Sequence, residues 1–246
     1  MIKKILPFLA LTFLFTTANA QFNLKKLAKD AENTVKDIAG GGGLSADEAG
    51  RGLKEALNVG VGDAVDFLSA EDGFYKSAYK IMLPEEAQKV TSKLKSVPGF
   101  SNVESDLIEK MNRAAEIAAG KAKPIFVQAI KDMTFKDAMN ILMGEDDAAT
   151  TYLKGSTYKS LYGEFMPVIQ SALDEVNARE YWKKAVTAYN KIPFVDKTNP
   201  ELDDHVNRKA LDGMFGLVEK KEEGIRNDAS LRNTDLLKKV FAKQDK

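Results

Sequence analysis

Residues 101–133 read SNVESDLIEKMNRAAEIAAGKAKPIFVQAIKDM, and their apolar positions recur at helical spacing. Leu107, Met111, Ala114, Ala115, Ala118, Phe126, Ala129 and Met133 fall on one stripe, the mark of a 3.6-residue period. The direct reading is one long helix from about Ser101 to Asp132. A bend is expected at Pro124, because a proline ring inside a helix collides with the carbonyl one turn back.

The same period governs the chain on either side. Toward the N-terminus, Leu83-Pro84 places a proline at the start of a helix that ends at Val97, before Pro98-Gly99. Glu71-Asp72-Gly73-Phe74 reads as a turn. Ser45-Ala46-Asp47-Glu48 has the spacing of a capping box, and the helix it opens has a core face of Leu53, Leu57, Val61, Ala64, Val65 and Leu68. Gly50, Gly52, Gly60 and Gly62 lie in that helix, each unfavourable by about 1 kcal/mol relative to alanine. Close approach of another helix over a glycine face is the compensation expected. Gly60-Val61-Gly62 is no nucleotide fingerprint, since Val65 stands where a third glycine belongs and no strand precedes it.

Toward the C-terminus, Thr134 suits an N-cap and Gly144 a helix end. Asp146 or Asp147 is expected to cap the next helix, which carries Tyr158, Leu161, Tyr162, Phe165, Val168, Ile169, Leu173 and Val176 and is broken or bent near Pro167. Helices over about 180–191, 200–224 and 234–242 complete the chain. Almost no window alternates with a period of 2. The fold class is therefore all-α, a single helical domain of about eight or nine helices.

The first twenty residues stand apart. Lys3 and Lys4 precede an uncharged run of fourteen residues from Ile5 to Ala18, and Ala18-Asn19-Ala20 follows. That is the layout of a secretory signal peptide cleaved after Ala20; the run is too short for a spanning helix of about 20 residues. The expectation is an exported, periplasmic protein with no transmembrane segment in the mature chain. It is not expected to be a lipoprotein, because no cysteine follows the run. Residues 21–43 form a further section. Leu24, Leu27, Ala28, Ala31, Val35 and Ile38 make an amphipathic stripe opposite Lys25, Lys26, Lys29 and Glu32, and Gly40 to Gly43 read as a flexible joint. Residues 44–246 are then the helical domain.

Composition excludes several kinds of chemistry. The 246 residues hold 36 Lys+Arg against 36 Asp+Glu, no cysteine and one histidine. Cleavage would remove Lys3 and Lys4 from the 36 cations, leaving 34 and a net charge of −2. No basic excess exists to neutralise a phosphate backbone, so nucleic acid is not an expected partner. Disulfides, thiol nucleophiles and thiolate zinc are absent, as is any metal site needing two imidazoles. No cofactor is expected. His205, in Asp203-Asp204-His205, has no Gly-x-Ser-x-Gly elbow to serve. Ser-x-x-Lys occurs at Ser77/Lys80, Ser92/Lys95 and Ser156/Lys159, without the companion motifs of penicillin-recognising enzymes. Glu145-Asp146-Asp147 lacks the alternation of a calcium loop and reads as acids suiting a helix dipole.

The remaining candidates cluster in the stretch quoted first. Asn112, Arg113 and Glu116 place polar and charged groups beside Ala114 and Ala115, with Arg113 and Glu116 one turn apart. Such a group is either a structural pair beneath a close neighbour or a binding site. Asp132 and Asp137, with Glu116, are the carboxylates from which acid–base chemistry would have to be built.

Several segments carry a family resemblance. They are Leu53-Lys54-Glu55-Ala56-Leu57, Asp72-Gly73-Phe74, Met111 to Glu116, Met133-Thr134-Phe135-Lys136-Asp137-Ala138 through Ile141-Leu142, Ala148 to Tyr152, Phe165-x-Pro167, and Arg232-x-Thr234-Asp235-Leu236-Leu237-Lys238-Lys239-Val240-Phe241. In this order, over Leu44 to Phe241, the chain resembles the bacterial domain-of-unknown-function family 4197. The resemblance implies an exported bacterial context, a helical fold and one unit over that span. It brings no catalytic residues to map.

Two functions are consistent with these residues. One is a non-catalytic binding protein of the cell envelope, whose partner is an envelope protein or an apolar small ligand, with residues 22–38 available for peripheral membrane contact. The other is a carboxylate-dependent hydrolase of the periplasm, which requires two acids to converge roughly 5–10 Å apart.

Overall fold

A computed structural model of the chain describes residues 46–175, 177–197, 201–232 and 234–242. Among them are nine α-helices and no strand: α1 (Ala46–Ser69), α2 (Glu85–Leu94), α3 (Val103–Ala119), α4 (Ala122–Asp132), α5 (Phe135–Leu142), α6 (Ala148–Glu175), α7 (Ala178–Tyr189), α8 (Asp203–Asn227) and α9 (Asp235–Phe241). A 3₁₀ turn, Ala229–Leu231, joins the last two. The all-α expectation holds. The signal segment, the 22–38 helix, the glycine joint and Ser45 of the expected capping box lie outside the described residues.

The centre of the domain is α6, which packs along α8 and α3 and also meets α4, α5 and α7. Seven of its buried residues, Ala149, Leu153, Thr157, Leu161, Phe165, Ile169 and Leu173, form a row spaced by four. A row of that spacing advances about 40° round the helix at each step, because 3.6 residues complete a turn. It therefore winds across the helix surface and meets neighbours on several sides. The helix is not broken at Pro167, which lies inside it. Gly163, whose carbonyl would have accepted the missing proline N–H, is exposed, so water can take that carbonyl.

The stretch 101–133 is two helices, not one. The chain leaves α3 at Gly120, Lys121 N–H turns back to the Ala118 carbonyl at 2.9 Å, and α4 begins at Ala122. Pro124 therefore lies in the first turn of α4, where its missing N–H has no intrahelical partner to lose. It helps start a helix instead of bending one.

In α1 the glycines do face neighbours. A Cβ on Gly52 would stand 2.5 Å from Val240 Cγ2 and 3.1 Å from Leu236 Cγ, so α9 crosses α1 at that point. Gly50, Gly60 and Gly62 lie at ordinary contact distance from Phe135, from Ile225 and Lys221, and from Lys123. Leu53, Leu57, Val61, Val65 and Leu68 of α1 are all buried. At about 1.5–3 kcal/mol each, they outweigh four glycine penalties of about 1 kcal/mol.

Candidate functional site

The segment between α1 and α2, residues 70–84, has no regular secondary structure yet buries Phe74, Ile81 and Leu83. Its backbone groups need partners, and α3 supplies them. Asn112, wholly buried, accepts from Ile81 N–H through Oδ1 at 2.8 Å and donates through Nδ2 to the Ile81 carbonyl at 2.8 Å. One side-chain amide thus pairs with one residue of backbone as a neighbouring strand would. Nδ2 also donates to the Ile108 carbonyl at 2.7 Å, which holds its rotamer.

One turn further on, Glu116 Oε1 accepts from the N–H groups of both Phe74 and Tyr75 at 3.1 Å. Arg113 donates to its other oxygen, Oε2, at 2.9 Å, and to Asp72 Oδ1 at 2.8 Å. Asp72 has a left-handed backbone, φ +67°, and its carboxylate also meets Lys76 at 2.9 Å. The hydrogen bond from Lys76 is the largest influence holding the Asp72 carboxyl below its usual range, with Arg113 acting in the same direction. The hydrogen bond to Glu116 does most to raise the Arg113 guanidinium further above its ordinary value. Tyr75 lies under Arg113 and Lys80, its ring centroid 5.2 Å and 4.6 Å from them. Asn112, Arg113 and Glu116 are thus brought together, and every bond named here goes to the chain itself.

The turn at Gly73 is set by crowding. A Cβ there would lie 2.3 Å from the Phe67 carbonyl oxygen and 2.9 Å from Leu68 Cα. At the other end of the segment, His205 Nε2 donates to the Met82 carbonyl at 2.9 Å. The lone histidine is a fastener for the same stretch. Ser77 Oγ donates to the Phe74 carbonyl and accepts from Tyr79 N–H, while Ser156 Oγ donates to helix carbonyls.

Asp132 and Asp137 lie elsewhere. Asp132 accepts from Gln128 Nε2 at 2.9 and 2.8 Å. Asp137 forms a reciprocal capping box with Thr134 at the start of α5. Bonds from the Thr134 hydroxyl and then its backbone N–H hold the Asp137 carboxyl below its ordinary range. Burial, followed by the charges of Asp137 and Asp132, raises the Tyr152 phenol. These two acids therefore share the neighbourhood of Tyr152, whereas both Glu116 oxygens are bonded beneath the 70–84 segment.

A second constellation escaped the sequence reading. Glu222 of α8 accepts from the N–H groups of Ala149 and Thr150 at 2.9 and 2.8 Å, and from Thr150 Oγ1 at 2.9 Å. It therefore takes the free amides at the start of α6; Asp147 does stand at the N-cap position, its carbonyl accepting from Thr151 N–H at 2.9 Å, but its carboxylate receives only Thr151 Oγ1 at 3.4 Å. A carboxylate from another helix succeeds because the dipole and free amides at a helix start attract any anion within reach. Arg226 joins Glu222 at 2.8 Å and donates to the Ile141 carbonyl at 2.8 Å, closing the end of α5. The signal was available: Glu222 and Arg226, four apart, continue the apolar face of Leu211, Phe215 and Val218. An apolar crevice lined by Leu53, Leu57, Val61, Val218, Ile225 and Phe241 adjoins this pair. Its free volume, ≈20 Å³, is that of about one water.

Glu145, Asp146 and Asp147 face Glu219 and Glu223 across an open, exposed hollow. Among the described residues no three of His, Cys, Asp or Glu are placed to hold a metal ion. No described helix is long and apolar enough to cross a membrane.

A family model described as "Protein of unknown function (DUF4197)" matches residues 43–242. No curated protein and no solved structure matches the chain.

Proposed function

Because the chain belongs to the DUF4197 family, which carries no activity to transfer, we propose its role from its own geometry: a non-catalytic binding protein of the bacterial cell envelope. The observation that carries this reading is the use made of Asn112, Arg113 and Glu116. The buried side chains of Asn112 and Glu116 are bonded to the protein's own backbone, and the half-buried Arg113 is bonded to Glu116 and Asp72. Groups so engaged rigidify a body and offer little to a substrate. Binding then falls to the surface, and to residues 22–38, whose lysine-bearing amphipathic pattern suits a partner or a membrane surface.

The signal-like residues 1–20 support the envelope setting. The test compares the full chain with a deletion of residues 21–43 in the producing cell. Fractionation and captured partners should change together on deletion; unchanged fractionation and partners would remove the docking role. Mass spectrometry of lipids and metabolites co-purifying with the intact protein should then name the ligand class.

A further inference from the structure

The segment after α7 reads KIPFVDK over residues 191–197, four apolar residues in a row with a lysine at each end. Phe194 stands out fully, at 107% of its reference exposure, and its backbone is left-handed, φ +62°. Both features are unfavourable. A left-handed conformation crowds the Cβ of an L-residue, and an exposed ring leaves apolar surface in water. The chain leading into Phe194 is held by Ile192 N–H donating to the Tyr189 carbonyl at 2.9 Å and by the fixed φ of Pro193. A strained residue presenting an uncovered aromatic ring is the kind of outlier from which function is inferred.

This segment borders a hollow whose other wall is a face of α2: Glu85, Gln88, Lys89, Ser92 and Lys93. That wall is polar, so it lacks the apolar pocket in which a protein partner's anchor residue would seat. The apolar groups stand on the loop. Around them are four cations, Lys89 and Lys93 from α2 and Lys191 and Lys197 within three residues of Phe194, against two anions, Glu85 and Asp196. Among the described residues none of these lysines is held in an ion pair. A protruding aromatic ring ringed by uncommitted ammonium groups matches an anionic bilayer, whose acyl boundary accepts the ring while its phosphates meet the lysines.

We propose that Ile192-Pro193-Phe194-Val195 is a membrane-contact tip that inserts Phe194 into an anionic bilayer, with Lys89, Lys93, Lys191 and Lys197 meeting the headgroups. This goes beyond the binding role above and does not depend on residues 22–38. The test uses the full chain carrying Phe194→Trp and vesicles of brominated phosphatidylcholine with or without phosphatidylglycerol. The single native tryptophan, Trp182, is 2% exposed and supplies a constant background. Quenching at position 194 is local, so attachment through any other part of the chain does not produce it. Vesicles containing phosphatidylglycerol should shift the emission to the blue and quench it. Each of Lys89→Gln and Lys93→Gln should raise the phosphatidylglycerol needed for half-quenching about fivefold. Emission indifferent to these vesicles overturns the proposal. So does a blue shift before lipid is added, which would mark contact between copies, or quenching unchanged in the double lysine variant.

Discussion

Glu222 and Arg226, one turn apart on α8, close two helix ends to which neither belongs. The carboxylate caps the start of α6 and the guanidinium caps the end of α5. Glu116 and Arg113 repeat the arrangement on α3, where the acid takes two successive amides and the arginine holds the acid. In both places a carboxylate–arginine pair on one helix organises backbone remote in sequence.

Removing both members of the α8 pair should cost less than the two single removals added together. The side chains of Glu222 and Arg226 are 6% and 3% exposed, and breaking such a pair leaves an uncompensated buried charge, about 3–5 kcal/mol. Urea unfolding of Glu222→Leu, Arg226→Met and the double variant is expected to show the double variant less destabilised than the sum of the singles. Strict additivity would mean the two residues act separately.

Asn112→Ala should release the 70–84 segment. The change leaves the Ile81 N–H and C=O without their partner, at about 1–3 kcal/mol for each buried group. Hydrogen exchange at Ile81 should accelerate while amides in the middle of α6 keep their protection relative to global unfolding. Equal acceleration throughout would show that the segment and the bundle open together.

Glycine substitutions should differ in sign. Gly62→Ala meets only Lys123 Cε at 4.0 Å and should stabilise by up to about 1 kcal/mol. Gly52→Ala drives a Cβ onto Val240 and should destabilise by about 1–3 kcal/mol. Gly73→Ala, which meets backbone at 2.3 Å, should be the worst of the three. Thermal melts of the three variants give the order.

Asp72 sets a dependence on acid. Its carboxyl is held below the ordinary value, first by Lys76 and then by Arg113. The folded state therefore binds that proton less readily than the unfolded chain. Its contribution is fully present above the unfolded value of about 3.9 and is lost as pH falls through the lower folded value. Melting temperature followed from pH 7 downward should show a shallower acid decline for Asp72→Asn than for the native chain. Identical slopes would remove Asp72 from the account.

Local pattern carried the reading of this chain a long way. The 3.6-residue stripes identified the helices, and Thr134 was legible as a cap because its partner Asp137 is three residues away. Gly120 is not legible as a break because apolar residues continue at helical spacing on both sides of it, and Pro124 looks like the interruption. Asn112, Arg113 and Glu116 were legible as a cluster, but the same residues suit a structural clamp or a ligand site, and sequence alone does not separate the two.

By itself, then, the sequence determined an all-α chain, its membership in DUF4197 and the chemistries it lacks, because periodicity and composition are local or additive properties. Tertiary structure decided what the charged groups do. Glu116 reaches amides 42 and 41 residues away, and Glu222 reaches amides 73 and 72 residues away. A helix end attracts any carboxylate that packing delivers, and which carboxylate arrives depends on how α3, α6 and α8 lie against one another.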